Sequence, residues 1–303
     1  MTGSQDFADD PRNERVLIHL NGELVPRDQA KVSIFDSGFV LGDGVWEGFR
    51  LHRGKVLFRD VHLDRLWQGA KAIDMDIGMS RAELSAALDG MLAANGMTDG
   101  VHIRLMVTRG LKKTPNQDPR HTIGRATVAI VAEHKLPSAA LAEKGLTLFT
   151  STIRSTRPDT LDPKLNSHSR LNLIVALIQA IKAGADEALM LDPEGFVASC
   201  NATNFFFARR GRVMTSTPKY CFNGITRGHA IELCRENEIP IELGDFSLVD
   251  VYSADEAFCT GTFGGMTPVV TIDGRTIGDG RPGPITARLR GLYAELMDVE
   301  AAR

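Results

Sequence analysis

Leu161-Asp162-Pro163-Lys164-Leu165-Asn166-Ser167-His168-Ser169-Arg170 leads into an apolar run, Leu171 to Ile181, that closes at Ala183-Gly184. The run carries Leu, Ile, Val and Ala on nearly every side, which predicts a helix buried on most faces. Gly184 suits its end, because glycine takes the left-handed position after a last turn at little cost. Glu187 to Leu191 and Phe196 to Cys200 read as strands around the turn residues Asp192-Pro193-Glu194-Gly195. Lys164 therefore stands in a polar loop at the rim of a core, where an amine can be held away from bulk water. A single lysine is far more often a solvated surface group, so its reading depends on the rest of the chain.

The chain has 303 residues, enough for one large domain or two medium ones. With 43% hydrophobic and 24% charged residues it has the composition of a soluble globular protein. A net charge of −3 gives nucleic acid no bulk electrostatic pull. No apolar run reaches membrane-spanning length, and Met1 to Asp6 lacks the basic start and apolar core of a signal peptide. Cys200, Cys221, Cys234 and Cys259 show no CxxC pairing and read as reduced thiols of a cytoplasmic protein, not as a metal or disulfide framework.

Residues 1 to about 13 are polar and are expected to be loose. Asn21-Gly22 between two apolar runs predicts a hairpin, and Val32 to Phe35 a further strand. Gly42-Asp43-Gly44-Val45-Trp46-Glu47 implies close backbone packing at the start of a strand through Leu51. Asp60 to Leu66 opens a helix with Leu63, Leu66 and Ala70 on one face and Arg65 beside it. Ser80-Arg81-Ala82-Glu83 is a capping box. Arg104 lies in the middle of the strand Val101 to Val107, so it is exposed, paired, or the ligand of an anion. The loop from Arg109 to Arg120 is long enough to be functional. Pro137 to Gly145 reads as a connector, which divides the chain into an N-terminal domain, 1–138, and a C-terminal one, 139–303.

Three pieces share anion chemistry. Arg65 is a cation on a helix; Gly224-Ile225-Thr226 enters a helix, where free N–H groups and the macrodipole favour a phosphate; Gly261-Thr262 offers a hydroxyl in a turn. A phosphate site together with a lysine at a core rim suggests pyridoxal 5'-phosphate, whose aldehyde forms a Schiff base with an amine.

These pieces occur in an order that resembles the fold-type IV, or class IV, pyridoxal phosphate-dependent aminotransferases, from about residue 16 to the end. This group contains branched-chain and D-amino acid aminotransferases and aminodeoxychorismate lyase. The matching stretches are Gly42 to Glu47, His62 to Leu66, Arg104, the lysine region, Asn204-Phe205-Phe206, Gly224 to Arg227, Gly261-Thr262, and Gly278 to Pro284 with Thr286. The resemblance implies an α+β fold with a small N-terminal α/β sandwich and a larger C-terminal domain that anchors the cofactor. It also implies a homodimer with shared active sites. The activity implied is amino-group transfer between an amino acid (branched-chain-like or D-) or an amine and a 2-keto acid.

By the same resemblance Arg65, Ile225, Thr226 and Thr262 hold the phosphate, and Asn204 and Ser199 lie on the cofactor side. Trp46, Arg104 and Phe263 contact substrate. Two positions depart from the family pattern. Ser199 stands where the family has the glutamate that keeps the pyridine nitrogen protonated, which weakens the electron sink and suits a lyase or eliminase as the alternative activity. Asn166, or Leu165 in the branched-chain alignment, stands where the family has its Schiff-base lysine. Lys164 is taken as that lysine and catalytic group, because a loop absorbs such an offset and an extended segment would put Lys164 and Asn166 on one face. Lys219 is a distant second, and a binder that has lost its lysine is the remaining alternative. His168 reads as structural, with a proton relay or a contact to the cofactor ring as the other reading.

Overall fold

A computed structural model describes Gly3 and residues 5–303. Met1, Thr2 and Ser4, part of the segment expected to be loose, lie outside the described residues. The chain divides into two compact units. The N-terminal unit comprises Ala8–Leu136, Leu165–Arg170 and Glu300–Arg303. The C-terminal unit comprises Pro137–Lys164 and Leu171–Val299, with the described part of Met1–Phe7. Leu165–Arg170 thus leave the segment expected to be C-terminal and belong with the N-terminal sheet.

In the N-terminal unit the order is β1 (Leu17–Leu20), β2 (Glu23–Pro26), α1 (Ser37–Leu41), β3 (Gly44–His52), β4 (Lys55–Val56), α2 (Arg59–Ala72), α3 (Arg81–Ala94), β5 (Val101–Thr108), β6 (Leu111–Lys112), β7 (Thr122–Ile123) and β8 (Thr127–His134). Among the described residues, β2-β1-β8-β5-β3-β4 form one sheet. Asn21 and Gly22 make the two-residue turn between β1 and β2, both at positive φ, as a hairpin of this twist requires. Along β3 the side chains alternate: Val45, Glu47, Phe49 and Leu51 face the core, and Trp46, Gly48 and Arg50 the other side. Leu63, Leu66 and Ala70 of α2 and Leu84, Leu88 and Met91 of α3 complete that core. Ser80 and Glu83 close the capping box that starts α3. Each fully buried leucine contributes about 1.5–3 kcal/mol by leaving water. Val32 to Phe35 does not form the expected strand. The Phe35 carbonyl accepts from Lys112 N–H at 2.9 Å, but no ladder follows, and Val32, Ile34 and Phe35 are exposed.

The C-terminal unit runs α4 (Ala139–Lys144), β9 (Leu146–Thr150), α5 (Pro158–Leu161), α6 (Leu171–Lys182), β10 (Glu187–Leu191), β11 (Val197–Cys200), β12 (Asn204–Arg209) and β13 (Arg212–Ser216). It continues with α7 (Ile225–Glu236), β14 (Ile241–Gly244), α8 (Leu248–Tyr252), β15 (Glu256–Gly261), β16 (Gly265–Ile272), β17 (Arg275–Thr276) and α9 (Pro284–Ala302). Its sheet follows β11-β10-β9-β16-β15-β12-β13-β14, with β17 beside β16, over a core that includes Leu148, Leu189, Phe205, Phe207 and Cys259. The expected connector holds α4, which Ser138 caps by accepting from Leu141 N–H.

The helix α6 corrects the reading of its sequence. Ala176 and Ala180 are its buried residues, on the side packed against the sheet. Leu171, Ile174, Ile178 and Ile181 are 43–73% exposed and form a stripe on another side. The alanines let the helix approach the strands closely, so the larger side chains are turned outward. Both units mix helices with sheets, and the architecture is α+β.

Candidate active site

In the N-terminal unit the site is built where the returning segment meets β3. Trp46 N–H donates to the Asn166 carbonyl at 2.9 Å, His168 N–H to the Gly44 carbonyl at 3.1 Å, and Ser167 stands opposite Val45. The segment thereby extends the free edge of β3. Gly44 permits this approach: a Cβ there would lie 2.4 Å from Val107 O and 2.7 Å from His168 Cδ2.

Glu47 is fully buried on the core side of β3. It accepts from Arg65 Nε and Nη2 and from His62 Nδ1, each at 2.7 Å. Burial pushes the Glu47 carboxyl up, but hydrogen bonds and charge from Arg65 and His62 prevail and hold it below its ordinary value. Arg65 thus holds Glu47 through Nε and Nη2. Asn166 is buried as well. Its Nδ2 donates to the Trp46 carbonyl at 2.5 Å and lies 3.5 Å from Glu47 Oε1. Its Oδ1 accepts from Arg170 Nη2.

On the other side of the sheet the Arg104 guanidinium lies 3.8 Å from the centre of the Trp46 ring, and the Arg170 guanidinium 5.6 Å from it. Arg170 Nε donates to the Ser167 carbonyl at 2.8 Å, and Trp46 Nε1 to the same oxygen at 3.1 Å. Burial, Arg104 and Arg65 together pull Arg170 down to about 10, against Glu47. Burial and then Arg104 lower His168 from its ordinary 6.5, so its imidazole is neutral at pH 7. His168 Nε2 is buried and has no hydrogen-bond partner among the described residues.

The C-terminal unit supplies a different group. Helix α7 begins at Ile225 with Gly224 as its N-cap, and no side chain caps it. First-turn amides without a side-chain cap are groups that can bind an anion. Thr226 is buried in that turn. Asn204 Nδ2 donates to the Phe222 carbonyl at 2.7 Å and to Ser199 Oγ at 3.2 Å. A Cβ on Gly224 would meet Asn204 Oδ1 at 2.2 Å, so a larger residue there would have to displace the Asn204 side chain. Opposite Asn204 in the sheet, Thr260 carries a buried hydroxyl without a hydrogen-bond partner among the described residues. Thr262 and the buried Phe263 follow in the turn between β15 and β16. Ser199 Oγ donates to the Thr203 carbonyl at 2.8 Å. The position expected to face a pyridine nitrogen is thus neutral and already bonded.

The class IV aminotransferase family profile matches residues 44–272. The chain belongs to the class IV aminotransferases. As a member of this family it is 42% identical over 288 residues to branched-chain-amino-acid aminotransferase-like protein 2 of Arabidopsis thaliana, covering 95% of this chain and 51% of that one. The chain thus spans about half the length of that relative. It is 34% identical over 284 residues to the D-alanine aminotransferase of Listeria monocytogenes, covering 93% of this chain and 95% of the other. Among solved structures, a T.th. branched-chain amino acid aminotransferase with pyridoxamine 5'-phosphate superposes with a TM-score of 0.88 at 30% identity, covering 94% of this chain and 95% of that one.

Lys164 is exposed on the turn after Pro163, and its N–H donates to Asp162 Oδ1 at 2.9 Å. Lys219 is exposed and pairs with Glu194 at 3.1 Å. The buried place in the returning segment is held by Asn166. Sequence reasoning assigned no role to Glu47, His62 or Arg170. A usable signal was present: Glu47 falls on the apolar side of a period-two strand, where a carboxylate must find a cation.

Proposed function

We propose that the protein holds pyridoxal 5'-phosphate and moves an amino group between an amino acid, branched-chain-like or D-, or an amine, and a 2-keto acid. The observation that carries this reading is the uncapped start of α7, with Gly224 pressed against Asn204 and the unsatisfied Thr260 hydroxyl opposite. That donor set fits a phosphate. Ile225 and Thr226 would bind it through backbone and hydroxyl, with Thr262 beside them. The bound cofactor supplies an aldehyde that takes up the amino group and a ring that accepts electrons. Ser199 brings no charge to the ring nitrogen, so transfer is expected to be slow compared with a site that has an acid there.

Lys164 is the amine to which this reading gives the covalent link to the cofactor and the proton transfer at the substrate Cα. For this its side chain would have to leave the solvent, since the turn holds it exposed. The burial of Asn166 favours a second reading, in which the cofactor is held through its phosphate without a covalent link. Borohydride reduction of the holoprotein followed by peptide mapping decides between them. Pyridoxyl on Lys164 supports the first, and bound cofactor that leaves every lysine unlabelled supports the second. A preparation that retains no cofactor refutes both, and product formed without a keto acid refutes transamination.

The exposed stripe Leu171, Ile174, Ile178 and Ile181 supports assembly as a homodimer, because a monomer gains nothing from holding four large apolar groups in water. The four cysteines are free and buried, which supports a cytoplasmic location.

A further inference from the structure

We infer that Arg227, the third residue of α7, is a buried counter-charge for a phosphate held at the start of that helix, so that the C-terminal unit brings its own cation to the group. The inference deepens the proposed function and rests on its placing of the phosphate at α7.

Arg227 stands where a chain without a ligand gains nothing from a cation. It is 5% exposed. It lies in the first turn of α7, and that turn has no acidic residue. The macrodipole makes this end of a helix positive, so a guanidinium there is disfavoured. Nη2 donates to the Ser216 carbonyl at 2.6 Å, and Nε is buried without a hydrogen-bond partner among the described residues. No carboxylate acts on it: the Cys221 thiol is its acidic neighbour, and burial prevails and lowers Arg227 from the ordinary arginine range. A buried charge is strongly unfavourable unless it is paired.

The side chains of an α-helix lean towards its N-terminus, so the stem of Arg227 runs back along the first turn. A Cβ on Gly224 would lie 3.5 Å from Arg227 Cβ. The Ser216 carbonyl fixes the guanidinium, and Ser216 Oγ donates in turn to the Ala198 carbonyl at 2.5 Å, which ties α7 to β13 and β11. Asn204 lies against Gly224 as well, and Thr260, opposite Asn204 in the ladder, is 1% exposed with its hydroxyl unsatisfied among the described residues. A guanidinium with a spare N–H, uncapped amides and a spare hydroxyl therefore belong to one end of α7 and the strand beside it. A phosphate monoester brings close to two negative charges at pH 7 and three acceptor oxygens. One guanidinium with the half-charge of a helix end matches that group better than it matches a carboxylate.

Equilibrium dialysis of the full chain, freed of cofactor, against pyridoxal 5'-phosphate, pyridoxal and inorganic phosphate tests this. Arg227→Met is expected to bind pyridoxal 5'-phosphate at least about tenfold more weakly than wild type, the worth of about one hydrogen bond to a charged group. Inorganic phosphate should weaken with it, and pyridoxal, which lacks the phosphate, should not. Arg227→Lys keeps the charge and should keep part of the affinity. Without ligand, Arg227→Met is expected to melt no lower than wild type, because the change removes an unpaired buried charge. A residue that only ties α7 to Ser216 would instead lower the melting temperature and weaken both pyridoxal ligands alike. Equal losses for the two, an unchanged affinity for pyridoxal 5'-phosphate, or an Arg227→Met chain that melts well below wild type or does not fold overturns the inference. The ligands also separate the two proposals. Wild type that binds inorganic phosphate through Arg227 and retains no pyridoxal 5'-phosphate refutes the proposed function alone. Pyridoxal 5'-phosphate bound equally by wild type and Arg227→Met refutes the counter-charge alone.

Discussion

Glu47→Gln is expected to weaken the N-terminal unit by about 3–5 kcal/mol at pH 7, the usual cost of breaking a buried ion pair from one side. The structure supplies the terms. Three donor atoms, Arg65 Nε, Arg65 Nη2 and His62 Nδ1, converge on the two oxygens of one buried carboxylate at 2.7 Å. Glutamine keeps one oxygen, so its NH2 group must face a donor. The Arg65 charge, with its side chain 15% exposed, then loses the Glu47 counter-charge. Urea denaturation followed by tryptophan fluorescence reads the effect, because both tryptophans, Trp46 and Trp67, belong to this unit. With a slope of about 2–3 kcal/mol per molar urea, a loss of about 3 kcal/mol moves the midpoint down by about 1–1.5 M.

The pH dependence gives a second reading of the same interaction. Glu47 is held below its ordinary 4.5 in the folded chain. Its contribution is therefore fully present above about pH 4.5 and is lost as pH falls through the lower folded value. Glutamine cannot titrate, so the gap between wild type and variant should be widest above pH 4.5 and should close below it. A gap under about 1 kcal/mol at pH 7, or one that stays constant down to pH 3, would show that the carboxylate charge does not hold this group together.

Gly224→Ala places a methyl group 2.2 Å from Asn204 Oδ1 and is expected to cost about 1–3 kcal/mol through overpacking. It should also reduce retention of pyridoxal phosphate on gel filtration, and unchanged retention would remove α7 from the phosphate site. Ile174→Glu, in the middle of the exposed stripe of α6, is expected to shift the protein towards monomer in sedimentation velocity and to leave its melting temperature within a few degrees. A wild type that sediments as a monomer refutes that use of the stripe.

What the sequence reveals is mostly local. The Asn21-Gly22 hairpin, the Ser80–Glu83 cap and the start of α7 at Gly224 are each contained within a few residues, and all three are present. The misread elements depend on what lies opposite them. Val32 to Phe35 has the composition of a strand, but no ladder forms along it. Helix α6 has the composition of a buried helix, yet its two alanines take the sheet side. A hydropathy pattern records which residues avoid water, not which neighbour removes them from it. The Glu47 group joins α2 to β3, and Ser167 binds Trp46 across 121 positions of sequence. Neither pairing leaves a trace in spacing.

The lysine reading depends on the same distinction. An extended segment would carry Lys164 and Asn166 on one face, and the offset of two residues could then be absorbed. The chain instead turns at Pro163-Lys164 and becomes a strand partner of β3 only from Asn166. The turn sends residue 164 to solvent, and the pairing fixes residue 166 in the protein. Taken alone, asparagine at 166 reads as a lost catalytic group. Beside Arg170 it is the residue that can accept from a guanidinium and donate to the Trp46 carbonyl together. A return to lysine would have to break the Arg170 contact before it offered an amine to a cofactor. Asn166→Lys alone is therefore a poor route back to a covalent link, and the paired change that also removes the Arg170 charge is the better one.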